Sequence, residues 1–252
     1  MRSRSHSSED EIVKNTDNDA LQSRVSAIDA GYLLDPSNLT KAFVQRPVQR
    51  KAPVINRGTY IRTVAIDKLV QQFVDSKEIS EARQIVSLGA GSDSRYFRLQ
   101  VLAHYPSLTY HEIDFPSVMK KKARKIAESA VLQSQIDAEY GEFNAETGHL
   151  ISKNYCLHPF DLRDILEHSA RLTRFIDLRL PTLFISECCL IYLEPEQAGD
   201  VLKWITSSFS DYVSIVIYEP IGGHDAFGQV MIQNLAVLHL FVNANYRLVV
   251  LF

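Results

Sequence analysis

Residues 85–93 read Ile85-Val86-Ser87-Leu88-Gly89-Ala90-Gly91-Ser92-Asp93, a short apolar run that breaks into a Gly-x-Gly turn. A strand that ends in glycines lets a ligand approach the backbone where a β-carbon would block it, and the following helix directs free N–H groups at the ligand. Asp114 closes the next apolar run about twenty-three residues after Gly91, the length of one βαβ unit, where an acid accepts hydrogen bonds from ribose hydroxyls. The pattern predicts a nucleotide-type cofactor site, with an ordinary strand-to-helix turn as the plain alternative.

The third glycine of the pyrophosphate-binding fingerprint is missing from this turn. Arg95 and Tyr96 stand where a glycine would let the helix pass closely beneath a diphosphate. We therefore predict a cofactor that contains adenosine without a pyrophosphate, and S-adenosylmethionine is the leading candidate.

The composition predicts one cytoplasmic catalytic domain. The chain has 252 residues, 46% of them hydrophobic, and a net charge of -3, so no global basic field attracts nucleic acid, and we predict no such partner. Neither a signal peptide nor an apolar run long enough to span a membrane is present, which predicts a protein without a membrane partner. Cys156, Cys188 and Cys189 fit neither a disulfide framework nor the spacing of a zinc site, so we expect reduced thiols and no metal.

Apolar runs and helical periodicities alternate along the chain, which predicts an α/β fold with a mainly parallel sheet. Residues 1–19 are polar and are predicted to be a disordered tail, 20–75 a helical arm, 76–235 the main domain and 236–252 an atypical apolar C-terminus. The predicted strands are 84–88, 109–113, 155–159, 182–191 and 213–218, and the predicted helices are 20–32, 60–74, 94–103, 115–128, 164–174 and 195–209. The cations of helix 115–128 are predicted to form a solvated face rather than a nucleic-acid patch: Lys120, Lys121, Lys122, Arg124 and Lys125.

Two further acids stand at the ends of predicted strands. Asp161 follows the third strand, and Glu187 lies inside the apolar fourth run. Ligands bind beyond the carboxyl ends of parallel strands, so both acids are candidate site residues. A salt bridge to an upstream arginine, or a helix cap, is the alternative for each.

Seven sequence blocks, in order along residues 20–235, resemble the leucine carboxyl methyltransferases. They are 50–58, 88–93, 112–116, 161–164, 181–188, Tyr192 with 195–197, and 227–235. The resemblance implies a Rossmann-like S-adenosylmethionine-dependent fold and a monomeric enzyme. It also implies methylation of the C-terminal leucine α-carboxylate of the protein phosphatase 2A catalytic subunit, with the tail of that subunit as the partner segment.

The same resemblance implies roles for individual residues. Arg62 would pair with the cofactor carboxylate, helped by Arg24, where the family usually has a lysine. The other implied contacts are Gly89 with the methionine part, Asp114 with the ribose, Asp161 and Leu162 with the adenine, and Glu187 with the amino end.

No catalytic acid or base is expected, because a C-terminal carboxyl with a pKa of about 3.5 is already ionised at pH 7. For the substrate side we choose Tyr192, Tyr218 and Glu219, near the ends of the fourth and fifth strands. Core packing is an equal alternative for each tyrosine.

The resemblance stops after Leu235, whereas the relatives continue. We expect the last strands of the sheet to be missing or replaced by the apolar residues 236–252, and we favour a truncated chain with weak or absent transferase activity. Three other functions stay open: the wybutosine-pathway methyltransferase of transfer RNA, a methyltransferase of small carboxylic acids, and a non-catalytic protein that binds the cofactor or the phosphatase.

Overall fold

A mostly parallel β-sheet organises the chain in its computed structural model, which describes residues 3–102, 105–137, 140–209, 212–220, 228–229, 233 and 250–251. Five parallel strands stand in the order β5-β2-β1-β6-β7, and antiparallel strands extend both edges. The strands are β1 (Arg83–Leu88), β2 (Leu108–Asp114), β3 (Tyr140–Asn144), β4 (His149–Ser152), β5 (Tyr155–Pro159), β6 (Thr182–Glu187), β7 (Val213–Tyr218) and β8 (Val250–Leu251).

Helices cover both faces of the sheet and create two apolar cores. In one core, helices α1, α2, α3 and α4 pack against one face of the sheet. In the other core, helices α6, α7 and α8 pack against the opposite face. Proline stands at the first turn of α2, α4 and α8, where its missing N–H costs no hydrogen bond. The helices are α1 (Ser3–Asp29), α2 (Pro53–Asp75), α3 (Arg95–Leu102), α4 (Pro116–Glu128), α5 (Ala130–Gln133), α6 (Ile165–His168), α7 (Ala170–Thr173) and α8 (Pro195–Ser208).

Residues 3–19 differ from the prediction, because they form the first part of α1 rather than a disordered tail. Asp10 pairs with Arg163 at 2.8 Å, and Asp17 accepts hydrogen bonds from Ser92. These long-range contacts fasten a polar helix to the main domain, and the low local hydrophobicity could not predict them. The second helix also begins earlier than predicted, at Pro53 instead of Tyr60.

The fourth predicted strand was too long. β6 ends at Glu187 because Cys188 takes a left-handed conformation, with φ 52°, and the chain then turns into a 3-10 helix. The hairpin of β3 and β4 was not predicted, since its strands are short and partly polar. The predicted helix 164–174 is two short helices, α6 and α7.

Lys122 corrects the prediction of a fully solvated cationic face on α4. Its side chain is 1% exposed and forms an ion pair with the equally buried Glu112, and its ammonium donates to the carbonyl of Asp93 at 2.7 Å. Lys121 of the same helix is exposed, as predicted. The long aliphatic stem of a lysine can lie in a core when a carboxylate meets its charge.

The C-terminal predictions are covered only in part. Val250–Leu251 pairs antiparallel with β7 and extends the sheet at the edge where the last strands were expected to be missing or replaced. Most of the block 227–235 and residues 236–249 lie outside the described residues. Within the described ranges, none of the helices has the length and apolarity needed to cross a lipid bilayer.

Candidate active site

A cavity of about 200 Å³ opens at the carboxyl ends of the central strands. β1 pairs with β2 on one side and with β6 on the other, so the chain order reverses at β1. Open α/β sheets bind ligands at such a switch point. The predicted residues that line the cavity are Arg24, Arg62, Gly89, Asp114, Asp161, Leu162, Glu187 and Tyr192.

The Gly-x-Gly turn forms the floor of this cavity. Gly89 has a φ of +60°, its N–H donates to the carbonyl of Ile113 at 2.8 Å, and an added β-carbon would lie 2.5 Å from the Sγ of Cys189. Gly91 has a φ of +48°, and its β-carbon would overlap the carboxylate of Asp17. The left-handed backbone conformation favours glycine at both positions, and close packing against Cys189 excludes a side chain at Gly89 as well.

Asp114 stands beside the turn, at the end of β2. Its Oδ2 accepts from the Gly91 N–H at 2.8 Å and its Oδ1 from the Phe115 N–H at 2.6 Å. Burial raises the pKa of Asp114 from its usual 3.8 to about 6, against the effect of these two hydrogen bonds. The backbone thus fixes the carboxylate, which lines the cavity.

Asp161 and Leu162 form the wall beyond β5. Asp161 accepts from the backbone N–H and the Nε of Arg163, at 3.0 and 2.9 Å. Arg163 in turn reaches the carboxylate of Asp10 on α1, with contacts of 2.8 and 3.0 Å. The side of the cavity that the resemblance assigns to adenine is therefore tied to the N-terminal helix.

Glu187 is the electrostatic centre of the site. Its Oε1 accepts from Arg24 at 3.1 Å and also from Arg62, and its Oε2 accepts from Arg95 at 3.0 Å. Burial alone would raise the pKa of the Glu187 carboxyl, but the charges of Arg24, Arg62 and Arg95 hold that pKa well below its ordinary range. The salt bridge that the sequence left as an alternative is thus present, with three upstream arginines.

Arg95 and Asp17 are site residues that the sequence analysis did not assign. Arg95 is 1% exposed and contacts Asp67 at 2.8 Å and also Asp93, which fixes its guanidinium behind Glu187. The sequence signal for Arg95 was its place at the end of the polar run 92–95, directly after the Gly-x-Gly turn. No sequence signal pointed to Asp17.

The three residues chosen for the substrate side occupy different environments. Tyr192 lines the cavity, and burial raises its pKa to about 12, so its hydroxyl stays protonated. The ring of Tyr218 lies under the guanidinium of Arg62, with 5.6 Å from Cζ to the ring centroid. Glu219 lies behind the turn that follows β6, where its Oε1 accepts from the N–H groups of Cys189 and Leu190, each at 3.0 Å. Glu219 therefore caps the turn after β6.

Comparisons with known proteins agree on one family. A family model described as leucine carboxyl methyltransferase matches residues 4–206. The chain is 40% identical to leucine carboxyl methyltransferase 1 of Emericella nidulans, covering 93% of this chain and 67% of that protein. It is 42% identical to leucine carboxyl methyltransferase 1 of Yarrowia lipolytica, covering 90% and 74%. With the Arabidopsis thaliana homolog the identity is 41%, covering 88% of this chain and 65% of that one.

Solved structures support the fold. A Thermobifida fusca protein described as a candidate methyltransferase superposes with a TM-score of 0.51 at 16% identity, covering 73% of this chain and 61% of that one. A DUF574 family protein from Streptomyces avermitilis superposes with a TM-score of 0.50 at 13% identity, covering 84% and 72%. At such low identity these likenesses show a shared architecture.

Proposed function

Because this chain belongs to the leucine carboxyl methyltransferase family, we propose that it methylates the α-carboxylate of a C-terminal leucine, with S-adenosylmethionine as the methyl donor. The observation that carries the proposal is the cavity at the switch point, where the three predicted acids, Asp114, Asp161 and Glu187, lie together with Arg24 and Arg62. We propose the protein phosphatase 2A catalytic subunit as the substrate, since residues 50–58 resemble the family block. The enzyme would act as a cytoplasmic monomer.

The residues around the cavity fit the chemistry of this donor. S-adenosylmethionine has hydroxyl, ammonium and carboxylate groups, and when bound it supplies an electrophilic methyl group on a sulfonium sulfur. Asp114 would accept from the ribose hydroxyls, while Asp161 and Leu162 would hold the adenine. Gly89, which has no side chain, would let the methionine part approach the backbone.

The arginines and Glu187 suit the amino-acid end of the cofactor. In the structure Arg24 and Arg62 both bond to Oε1 of Glu187, while Arg95 bonds to Oε2. We propose that Glu187 accepts from the cofactor ammonium and that Arg24 and Arg62 bind its carboxylate. Arg95 would stay on Oε2, because its other contacts are buried, and would keep Glu187 ionised and in place.

Catalysis by this site requires positioning and exclusion of water. The substrate carboxylate is ionised at pH 7, so no residue has to accept a proton from it. When the carboxylate attacks the sulfonium methyl group, the negative and the positive charge are both dispersed in the transition state. Water stabilises the fully charged reactants more than this transition state, so a pocket without water favours the reaction. Residues of α1 line the cavity, and we propose that the arm of residues 20–75 closes it against solvent.

The protonated hydroxyl of Tyr192 would donate to the substrate carboxylate. Tyr218, beneath Arg62, would hold that guanidinium by a cation–π contact. A pair of synthetic peptides tests the reaction itself. A peptide that ends in leucine with a free carboxylate should gain one methyl ester, detected by mass, and the same peptide with a C-terminal amide should gain none. Equal methylation of both peptides would exclude carboxyl transfer.

A further inference from the structure

The sheet brings two histidines and a cysteine together away from the cavity. His111 of β2 stands opposite Cys156 of β5 in the parallel register, and His158 lies two residues beyond Cys156 on the same face. All three side chains are buried, at 2% exposure or less. Ile113, two residues after His111, lies on the same face of β2. It packs in the core that the sheet forms with α6, α7 and α8. The cluster is thus a group of polar donors inside an apolar layer.

The donor atoms of the three side chains lie close together. Nδ1 of His111 lies 3.0 Å from Nε2 of His158, and one ligand atom from each of the three residues lies within 4.8 Å of the others. Two nitrogens bound tetrahedrally to one Zn²⁺ at about 2.05 Å are about 3.3 Å apart. The two imidazole nitrogens are already near that separation, and rotation of the side chains would bring all three donor atoms to one ion.

The donor set suits a metal ion. A neutral imidazole offers the lone pair of its unprotonated ring nitrogen, and the thiol of Cys156 would bind as the thiolate. The metal ion would have to displace the thiol proton to solvent, as happens when structural zinc sites form.

We propose that His111, Cys156 and His158 bind one Zn²⁺ ion, which joins β2 to β5 inside the core. Imidazole and thiolate are ligands that Zn²⁺ accepts, whereas Mg²⁺ and Ca²⁺ need oxygen ligands. Three protein ligands leave the fourth tetrahedral position for a small molecule such as water. The cluster lies in the middle of the strands and does not line the cavity, so the ion would hold β2 to β5 and the proposal does not depend on the proposed methyl transfer.

The expectation of no metal rested on cysteine spacing along the chain. This cluster is instead built across two strands, with Cys156 and His158 at the two-residue spacing that places side chains on one face of a strand. The competing explanation is a hydrogen bond between the two imidazoles, beside a Cys156 thiol that donates to the carbonyl of Ser152 at 3.4 Å. The two explanations differ in whether a metal stabilises the fold.

Metal content and thermal stability test the proposal on the full chain. The protein, purified with a phosphine reductant and without chelator, should contain about one zinc per chain. A chelator should lower its thermal midpoint, and added Zn²⁺ should restore it. Co²⁺ in place of Zn²⁺ should give tetrahedral visible bands and a sulfur-to-metal absorption band. A chain without zinc whose midpoint and spectrum do not respond to Zn²⁺ or Co²⁺ would overturn the proposal.

Variants locate the metal. Cys156→Ser should remove the sulfur-to-cobalt band, and His158→Gln should lower zinc content at least tenfold. His168→Gln changes an exposed histidine and should retain both signals. Unchanged zinc content in Cys156→Ser and His158→Gln would place the metal elsewhere and refute the assignment. If His158→Gln fails to fold, the cobalt spectrum of Cys156→Ser alone decides, since the sulfur band reports directly on this thiol.

Discussion

Asp17 accepts two hydrogen bonds from Ser92, one from the backbone N–H at 2.6 Å and one from the hydroxyl at 2.7 Å. These bonds fasten α1 to the Gly-x-Gly turn across 75 residues of sequence. The same helix carries Arg24 into the cavity. The position of Arg24 in the cavity therefore depends on the contact between α1 and the Gly-x-Gly turn.

Asp17→Ala should weaken S-adenosylmethionine binding about tenfold, because α1 would lose its bonds to Ser92 and would hold Arg24 less firmly in the cavity. A hydrogen bond to a charged group contributes about 1.5–3 kcal/mol. Amide hydrogen exchange within α1 should accelerate in the same variant. Calorimetry and exchange mass spectrometry measure the two effects. Asp19→Ala, which changes an exposed acid of the same helix, is the matched control and should behave as the wild type. Equal affinities for Asp17→Ala and the wild type would separate α1 from the cofactor site.

Glu187→Gln should reduce S-adenosylmethionine affinity by at least a hundredfold. The substitution removes the proposed partner of the cofactor ammonium and leaves three arginines without their shared counter-charge. Breaking a buried ion pair costs about 3–5 kcal/mol, so the thermal midpoint should fall as well. Isothermal titration calorimetry and thermal unfolding measure both quantities.

The control for this variant is Glu196→Gln, at an exposed position in the first turn of α8. It removes the same charge without touching the site and should change neither affinity nor stability. Retained tight binding in Glu187→Gln would mean that the ammonium is held elsewhere.

Gly89→Ala should destabilise the protein by more than about 2 kcal/mol, because the new β-carbon would collide with Cys189 and the backbone conformation is left-handed. Gly199→Ala makes the same chemical change inside α8, where nothing lies within 4 Å of the added carbon. That control should stabilise the protein by up to about 1 kcal/mol. Urea unfolding measures both. Similar unfolding free energies for the two variants would show that the turn can relax.

The affinity for S-adenosylmethionine should fall as the pH drops below about 6, since the ribose hydroxyls need the ionised form of Asp114, whose pKa is about 6. The stability of the free protein has the opposite dependence on this group. A carboxyl whose pKa is raised by folding favours the folded state at low pH, and this contribution is lost as the pH rises from about 4 through 6. Titration calorimetry between pH 5 and 8 tests the affinity. Asp114→Asn should bind weakly with a flat profile, whereas a full pH dependence in that variant would assign the titration to another group.

The central sheet could be predicted because its strands are buried on both faces. Such strands form continuous apolar runs, and the glycines and acids that follow them mark one edge of the sheet. The candidate site positions on that edge, Gly89, Asp114, Asp161 and Glu187, all line the observed cavity.

The ionic network could not be predicted in the same way. Glu187 is 163 residues from Arg24, 125 from Arg62 and 92 from Arg95, and no local pattern indicates which cation meets which acid. The first part of α1, up to residue 19, was predicted as disordered for a related reason. This part of the helix is polar, and its order comes from contacts such as Asp10 with Arg163 and Asp17 with Ser92.

Methyl transfer to the protein phosphatase 2A catalytic subunit, compared with the same subunit lacking its terminal leucine, tests the proposed activity most directly. The sequence alone led us to expect weak or absent transfer, but all the predicted cofactor residues line the cavity. With S-adenosylmethionine labelled in the methyl group, we therefore expect a base-labile label on the intact subunit, none on the shortened one, and at least a hundredfold lower rate for Glu187→Gln. A chain that binds S-adenosylmethionine but labels neither subunit, or labels both equally, would contradict the proposed activity.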